Sequence, residues 1–180
     1  DDPDSYINTE TANDYLAAIK IGAFPMTTAD IAVSSFFVEV VPILVFLKQS
    51  KPSSKSLLYE DLMDISISVF PWSGSDEKKQ IENDSAAGLT VSDYLKKGLI
   101  TEITRESINE IRFKTNYPQE VIKHRKEVII TELARGDYDG DGFEDSMISI
   151  STYYLEGSGR NYHSHIVTRS EGQSFMKIEQ

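Results

Sequence analysis

Residues Met147 to Tyr154 alternate strictly. Ile148, Ile150, Thr152 and Tyr154 fall on one side, and Met147, Ser149, Ser151 and Tyr153 on the other. A period of two is the pattern of a β-strand and is incompatible with an amphipathic helix. Glu156-Gly157-Ser158-Gly159-Arg160 follows as a hairpin turn, and Asn161 to Arg169 reads as the returning strand. Upstream, Ile108 to Lys114 and Glu127 to Leu133 read as further strands, with Asn116-Tyr117-Pro118 turning the chain between them. The C-terminal half is therefore an antiparallel β-meander.

The N-terminal half has a different period. Residues 11 to 21 predict a helix, with Asn13 as a cap and Tyr15, Leu16 and Ile19 on one face, ended at Phe24-Pro25. Ile31 to Leu47 is apolar and divided by Pro42, so a helix to Val41 and a strand from Ile43 to Leu47 are expected. Residues 49 to 56 form a polar loop. Ile65 to Phe70 alternates with serines and reads as a strand ending at Pro71-Trp72-Ser73-Gly74. Ser73 with Asp76, and Thr90 with Asp93, make two capping-box patterns, each leading a helix to a glycine stop, at Gly88 and at Gly98. The fold class is α+β, a helical N-terminal half with an antiparallel β-meander in the C-terminal half. A single domain over 1–180 is expected, with a helical lobe 1–98 and a β-rich part 99–180.

Hydrophobic residues make up 39% of the 180-residue chain, enough for a core. The net charge of −11 repels phosphate backbones, which argues against nucleic-acid binding. The densest basic run, Lys123-His124-Arg125-Lys126, is short and lies between Glu120 and Glu127. The absence of cysteine removes disulfides, thiolate metal sites and cysteine nucleophiles together. The stretch 31–47 carries Glu39 and Pro42, and no transmembrane span is expected. Asp1 rather than Met opens the chain, as a cleaved signal peptide or a trimmed boundary would leave it.

Chemistry concentrates in Gly136-Asp137-Tyr138-Asp139-Gly140-Asp141-Gly142-Phe143-Glu144-Asp145. Counted from Asp137, carboxylates occupy positions one, three, five and nine, and Gly142 at position six permits a sharp bend. Calcium takes six to eight oxygens, and short acidic side chains at alternate positions of a tight loop can turn inward together. Clustered carboxylates repel one another, so binding and ordering of the loop are coupled. A turn that binds nothing needs one Asp-Gly pair and gains nothing from four acids. An EF-hand requires Glu at position twelve and helices on both sides; here position twelve is Ile148 and the flanks alternate as strands.

The loop resembles the calcium loop of FG-GAP and VCBS-type repeats, over roughly Val128 to Ile150. That resemblance implies calcium ligands at Asp137, Asp139, Asp141, the Phe143 carbonyl and Asp145. It also implies an exported, periplasmic or extracellular setting. Propellers of the family repeat the unit in each blade, whereas it occurs once here, which excludes a propeller.

Weaker signals remain. Arg135-Gly136-Asp137 spells an integrin-recognition tripeptide, but its Asp is the first expected ligand. His163 and His165, two apart on a strand, could share a metal with a third ligand such as His124. Tyr153, Tyr154, Tyr162 and Trp72 could present an aromatic surface to a protein or glycan partner. Ser158-Gly159-Arg160-Asn161-Tyr162 matches the Ser-Gly-x-x-Tyr motif of periplasmic lysozyme inhibitors, an alternative function acting through Ser158, Gly159 and Tyr162, although that family's cysteines are missing here. A metal-dependent hydrolase using Glu132, Glu144 or the histidines is a second alternative. The primary expectation is a non-enzymatic exported protein with a structural calcium ion and a binding or envelope role.

Overall fold

The computed structural model describes residues 11–23, 28–70, 75–116, 125–169 and 177–179. It divides into two compact units, Asp1–Val45 and Phe46–Gln180.

In the first unit, helix α1 spans Ala12–Lys20, and α2, Thr28–Gln49, begins there and runs into the second. Thr11, not Asn13, caps α1: its Oγ1 accepts the Asp14 amide at 3.2 Å and Asp14 Oδ2 accepts the Thr11 amide at 2.9 Å. Tyr15 stacks on Phe37 at 4.8 Å. The expected strand from Ile43 to Leu47 does not form. Instead α2 continues through Pro42 to Gln49, so proline costs one amide donor without ending the helix. The expected break at Phe24-Pro25 lies outside the described residues.

The second unit holds helices α3 (Ser75–Ala86) and α4 (Val91–Lys96) and a sheet of β1 (Ile100–Ser107), β2 (Glu110–Thr115), β3 (Lys126–Gly136), β4 (Asp145–Tyr154), β5 (Arg160–Thr168) and β6 (Lys177–Glu179). The strands are antiparallel in sequence order, as a meander requires. The α+β class and the antiparallel C-terminal sheet are as expected. The helical character of the first half is only partial, because residues 50–70 carry no α-helix.

Ile65 to Phe70 is not a strand. Two 3₁₀ turns, Leu62–Asp64 and Ile67–Val69, occupy this region, each opened by a side chain that accepts a nearby amide: Asp61 from Met63 at 2.8 Å and Ser66 from Ser68 at 3.3 Å. Their apolar residues join Ile81 of α3, Val91 and Tyr94 of α4, and the β2, β3 and β4 face carrying Phe113, Ile130 and Ile150 in one core. Phe70 stacks on Phe113 at 5.3 Å and meets Tyr94 edge-on at 5.5 Å. Helices α3 and α4 share this core with the sheet, within the unit Phe46–Gln180.

The Thr90–Asp93 capping box forms, and Gly88 and Gly98 follow their helices with φ of 75° and 70°. Ser73, Trp72, His124 and the 117–118 turn lie outside the described residues. The strand expected at 108–114 begins at Glu110, since Ile108 sits in the turn from β1, 82% exposed.

Candidate metal centre

The meander places the acidic stretch. β3 ends at Gly136 and β4 starts at Asp145, which pair across the ladder, so residues 137–144 form the connection of a β-hairpin. Asp145 is fully buried and Asp137 is 5% exposed, whereas Asp139 and Asp141 are exposed.

The carboxylates organise the loop backbone. Asp137 accepts the Gly140 amide at 2.7 Å and the Gly142 amide at 3.1 Å. Oδ2 of Asp145 accepts the amides of Tyr138 at 2.7 Å and Asp139 at 3.4 Å. Asp139 accepts from Asp141 at 3.0 Å, and Asp141 from Phe143 at 2.8 Å. Gly140 and Gly142 make the bends at φ of 85° and 88°, where a side chain would be strained.

Asp137, Asp139 and Asp145 each offer a carboxylate oxygen within 4.8 Å of the others, and this triad could hold a metal ion. Asp145 Oδ1, fully buried, has no hydrogen-bond partner among the described residues. A buried carboxylate oxygen without a donor is costly unless a cation or proton meets it. Reduced solvation, then the charges of Asp145, Asp141 and Asp137, raise the Asp139 carboxyl above the ordinary carboxylate value against one hydrogen bond from the Asp141 amide. Of the expected ligands, Asp141 stands outside the triad, with Oδ1 on the Phe143 amide. Hard oxygens at this spacing suit a hard divalent cation.

Arg135 screens the flank of the loop. It donates to Glu132 at 2.8 and 2.9 Å, to Glu144 at 3.1 Å and to the Tyr59 carbonyl at 3.1 Å. Glu132 also accepts from Ser146, whose hydroxyl shares a 2.7 Å hydrogen bond with Tyr59. Burial would raise the Glu132 carboxyl, but hydrogen bonds from Arg135, Tyr59 and Ser146 hold it below its ordinary value. Burial likewise pushes the Tyr59 hydroxyl up. Arg135 of the integrin-like tripeptide and the two glutamates raised as water-activating bases are therefore engaged with one another.

Sequence reasoning missed the segment Phe46–Lys55, which contacts the loop at both ends. Nothing local in a serine- and lysine-rich stretch marks it; Gly136, a glycine inside a strand, is the one trace of its close approach.

The other candidates are dispersed. His163 and His165 lie side by side with ring centroids 6.2 Å apart, facing Ile150 and Ile148 across the ladder. His165 is driven toward its neutral form by burial and by His163. Tyr153 and Tyr162 share one face of the sheet, and Tyr154 lies on the other, so the three tyrosines do not form one surface. Ser158 and Gly159 sit in the exposed hairpin turn, while Tyr162 is half-buried on β5.

Comparison with protein-family models, with curated proteins and with solved structures returned no match.

Proposed function

We propose that the loop is a structural calcium site pinning the β3–β4 hairpin, in a non-enzymatic protein that works outside the cytosol in a binding or envelope role. The observation that carries this reading is Asp145, grouped with Asp137 and Asp139 and buried with its Oδ1 unpartnered among the described residues. A divalent cation offsets both the missing donor and the mutual repulsion. Asp141 and the Phe143 carbonyl complete the ligand set, as the resemblance to FG-GAP and VCBS-type loops implies.

Calcium is favoured over magnesium because four carboxylates on one short loop suit six to eight ligands better than a strict octahedron that keeps its waters. The setting follows from affinity: sites of extracellular type bind with Kd of about 10⁻⁴–10⁻³ M, so they fill outside the cell and stand empty in the cytosol. No helix among the described residues is long and apolar enough to cross a membrane.

Calorimetric titration of the full chain with calcium and, separately, magnesium tests the reading. One calcium per chain at submillimolar Kd, with weaker magnesium, supports it. Absence of calcium binding at several millimolar refutes it.

A further inference from the structure

A segment more than eighty residues upstream closes on the candidate metal loop. Lys51 and Asp137 exchange both backbone hydrogen bonds, at 2.8 and 2.9 Å. The Gly142 carbonyl accepts twice from Ser54, from its amide at 3.0 Å and its hydroxyl at 2.8 Å. The Lys55 carbonyl accepts the Glu144 amide at 2.8 Å. The Phe46 ring, fully buried, lies parallel to Tyr138 at 5.5 Å. A Cβ on Gly136 would stand 2.9 Å from the Ser50 Cβ, so glycine there is what lets the two backbones meet.

We propose that the acidic loop and the segment Ser50–Lys55 form a latch controlled by the cation, so that calcium occupancy sets the order of the chain that follows α2. The proposal rests on the calcium reading above and assigns the site a regulatory output. Residues Ser50–Lys55 belong to no helix and to no strand of the sheet; Lys51, Ser54 and Lys55 make these bonds to loop residues 137, 142 and 144. Those loop atoms hold their positions only while the loop keeps its tight bend. With the cation gone, three carboxylates within 4.8 Å repel, and spreading the loop relieves them. Spreading displaces the Asp137 and Gly142 carbonyls and the Glu144 amide from their partners together. By linkage the coupling is reciprocal: whatever weakens the segment's grip weakens calcium binding by the same factor.

Hydrogen exchange of the full chain, in chelator and in millimolar calcium, tests the latch beside a calorimetric calcium titration. Two variants keep every carboxylate: Ser54→Ala removes one donor to Gly142 at an exposed position, and Gly136→Ala forces Ser50 away. The expected result is exchange over residues 50–55 slowed at least about fivefold by calcium, beyond any slowing across Val91–Lys96. Calcium binding should also weaken by about threefold in Ser54→Ala and by more in Gly136→Ala. Calcium binding with no selective slowing over 50–55 and unaltered affinity in both variants overturns the latch and leaves the site standing. No calcium binding by the intact chain removes the site and the latch together.

Discussion

Asp145 accepts the Tyr138 amide at 2.7 Å through Oδ2, while its Oδ1, equally buried, meets no donor among the described residues. One oxygen shapes the loop, and on the proposed reading the other is left for a cation. Asp145→Asn separates these roles, since the amide oxygen can still accept from Tyr138 while one charge is lost. The variant is expected to melt no lower than the parent in chelator, because repulsion with Asp137 and Asp139 falls. Its calcium affinity should drop by more than the roughly 10–100-fold typical of losing an outer-shell partner. Melts in chelator and a calcium titration check both halves.

Gly142 stands at φ 88°, with Ser54 Oγ 3.4 Å from where a Cβ would be. Gly142→Ala therefore costs about 1–2 kcal/mol of stability from the left-handed backbone, and it weakens calcium binding by disturbing the bend. Gly157, in the exposed β4–β5 turn with open space around it, is the control. Gly157→Ala should stay within about 0.5 kcal/mol of the parent. Urea unfolding of the two variants measures the contrast.

How much of this was legible in the sequence depends on whether a signal was local. The β4–β5 hairpin could be read because alternation and a glycine turn are local properties, and so could the Thr90–Asp93 capping box. β1 was not read, because bulges interrupt its pairing and Glu102 takes φ of 53°, which breaks the period of two. Ile65 to Phe70 mimicked a strand because its serines alternate with apolar residues, yet Ser66 is buried and caps a 3₁₀ turn. Within the acidic loop, spacing pointed to Asp137, Asp139, Asp141 and Asp145, of which Asp137, Asp139 and Asp145 come together. The grip of Lys51, Ser54 and Lys55 on it comes only from the tertiary fold, which no local pattern encodes.

Glu132 carries a pH prediction. Its carboxyl is held below the ordinary value of 4.5 in the folded protein by Arg135, Tyr59 and Ser146, against burial. A depressed folded value means that its contribution is present in full above the ordinary value and is lost as pH falls through the folded one. Glu132→Gln should therefore lower Tm clearly at pH 7, and the gap to the parent should narrow as pH falls below the ordinary value. Thermal melts of both proteins across that range check the sign; a gap that widens on acidification contradicts it.

Lys126 and Glu77 form an ion pair at 2.7 and 3.0 Å, with side chains 1% and 3% exposed. Removing either side chain takes from a buried charge its ion pair with the other. Glu77→Leu alone should cost about 3–5 kcal/mol, and adding Lys126→Met should recover most of it. Urea denaturation of the single and double variants gives the comparison, and equal losses in both would contradict this account of the pair.

Calcium held by the carboxylates of Asp137, Asp139 and Asp145 would raise the stability of the folded chain. The most direct measurement is the melting temperature of the intact chain in chelator and across a calcium series. At a free concentration 100 times Kd, one site contributes about 2.7 kcal/mol, or about 5–10 °C for a chain of this size. A saturable rise of that order, matched only weakly by magnesium, is predicted. A melting temperature indifferent to calcium up to several millimolar would contradict the account.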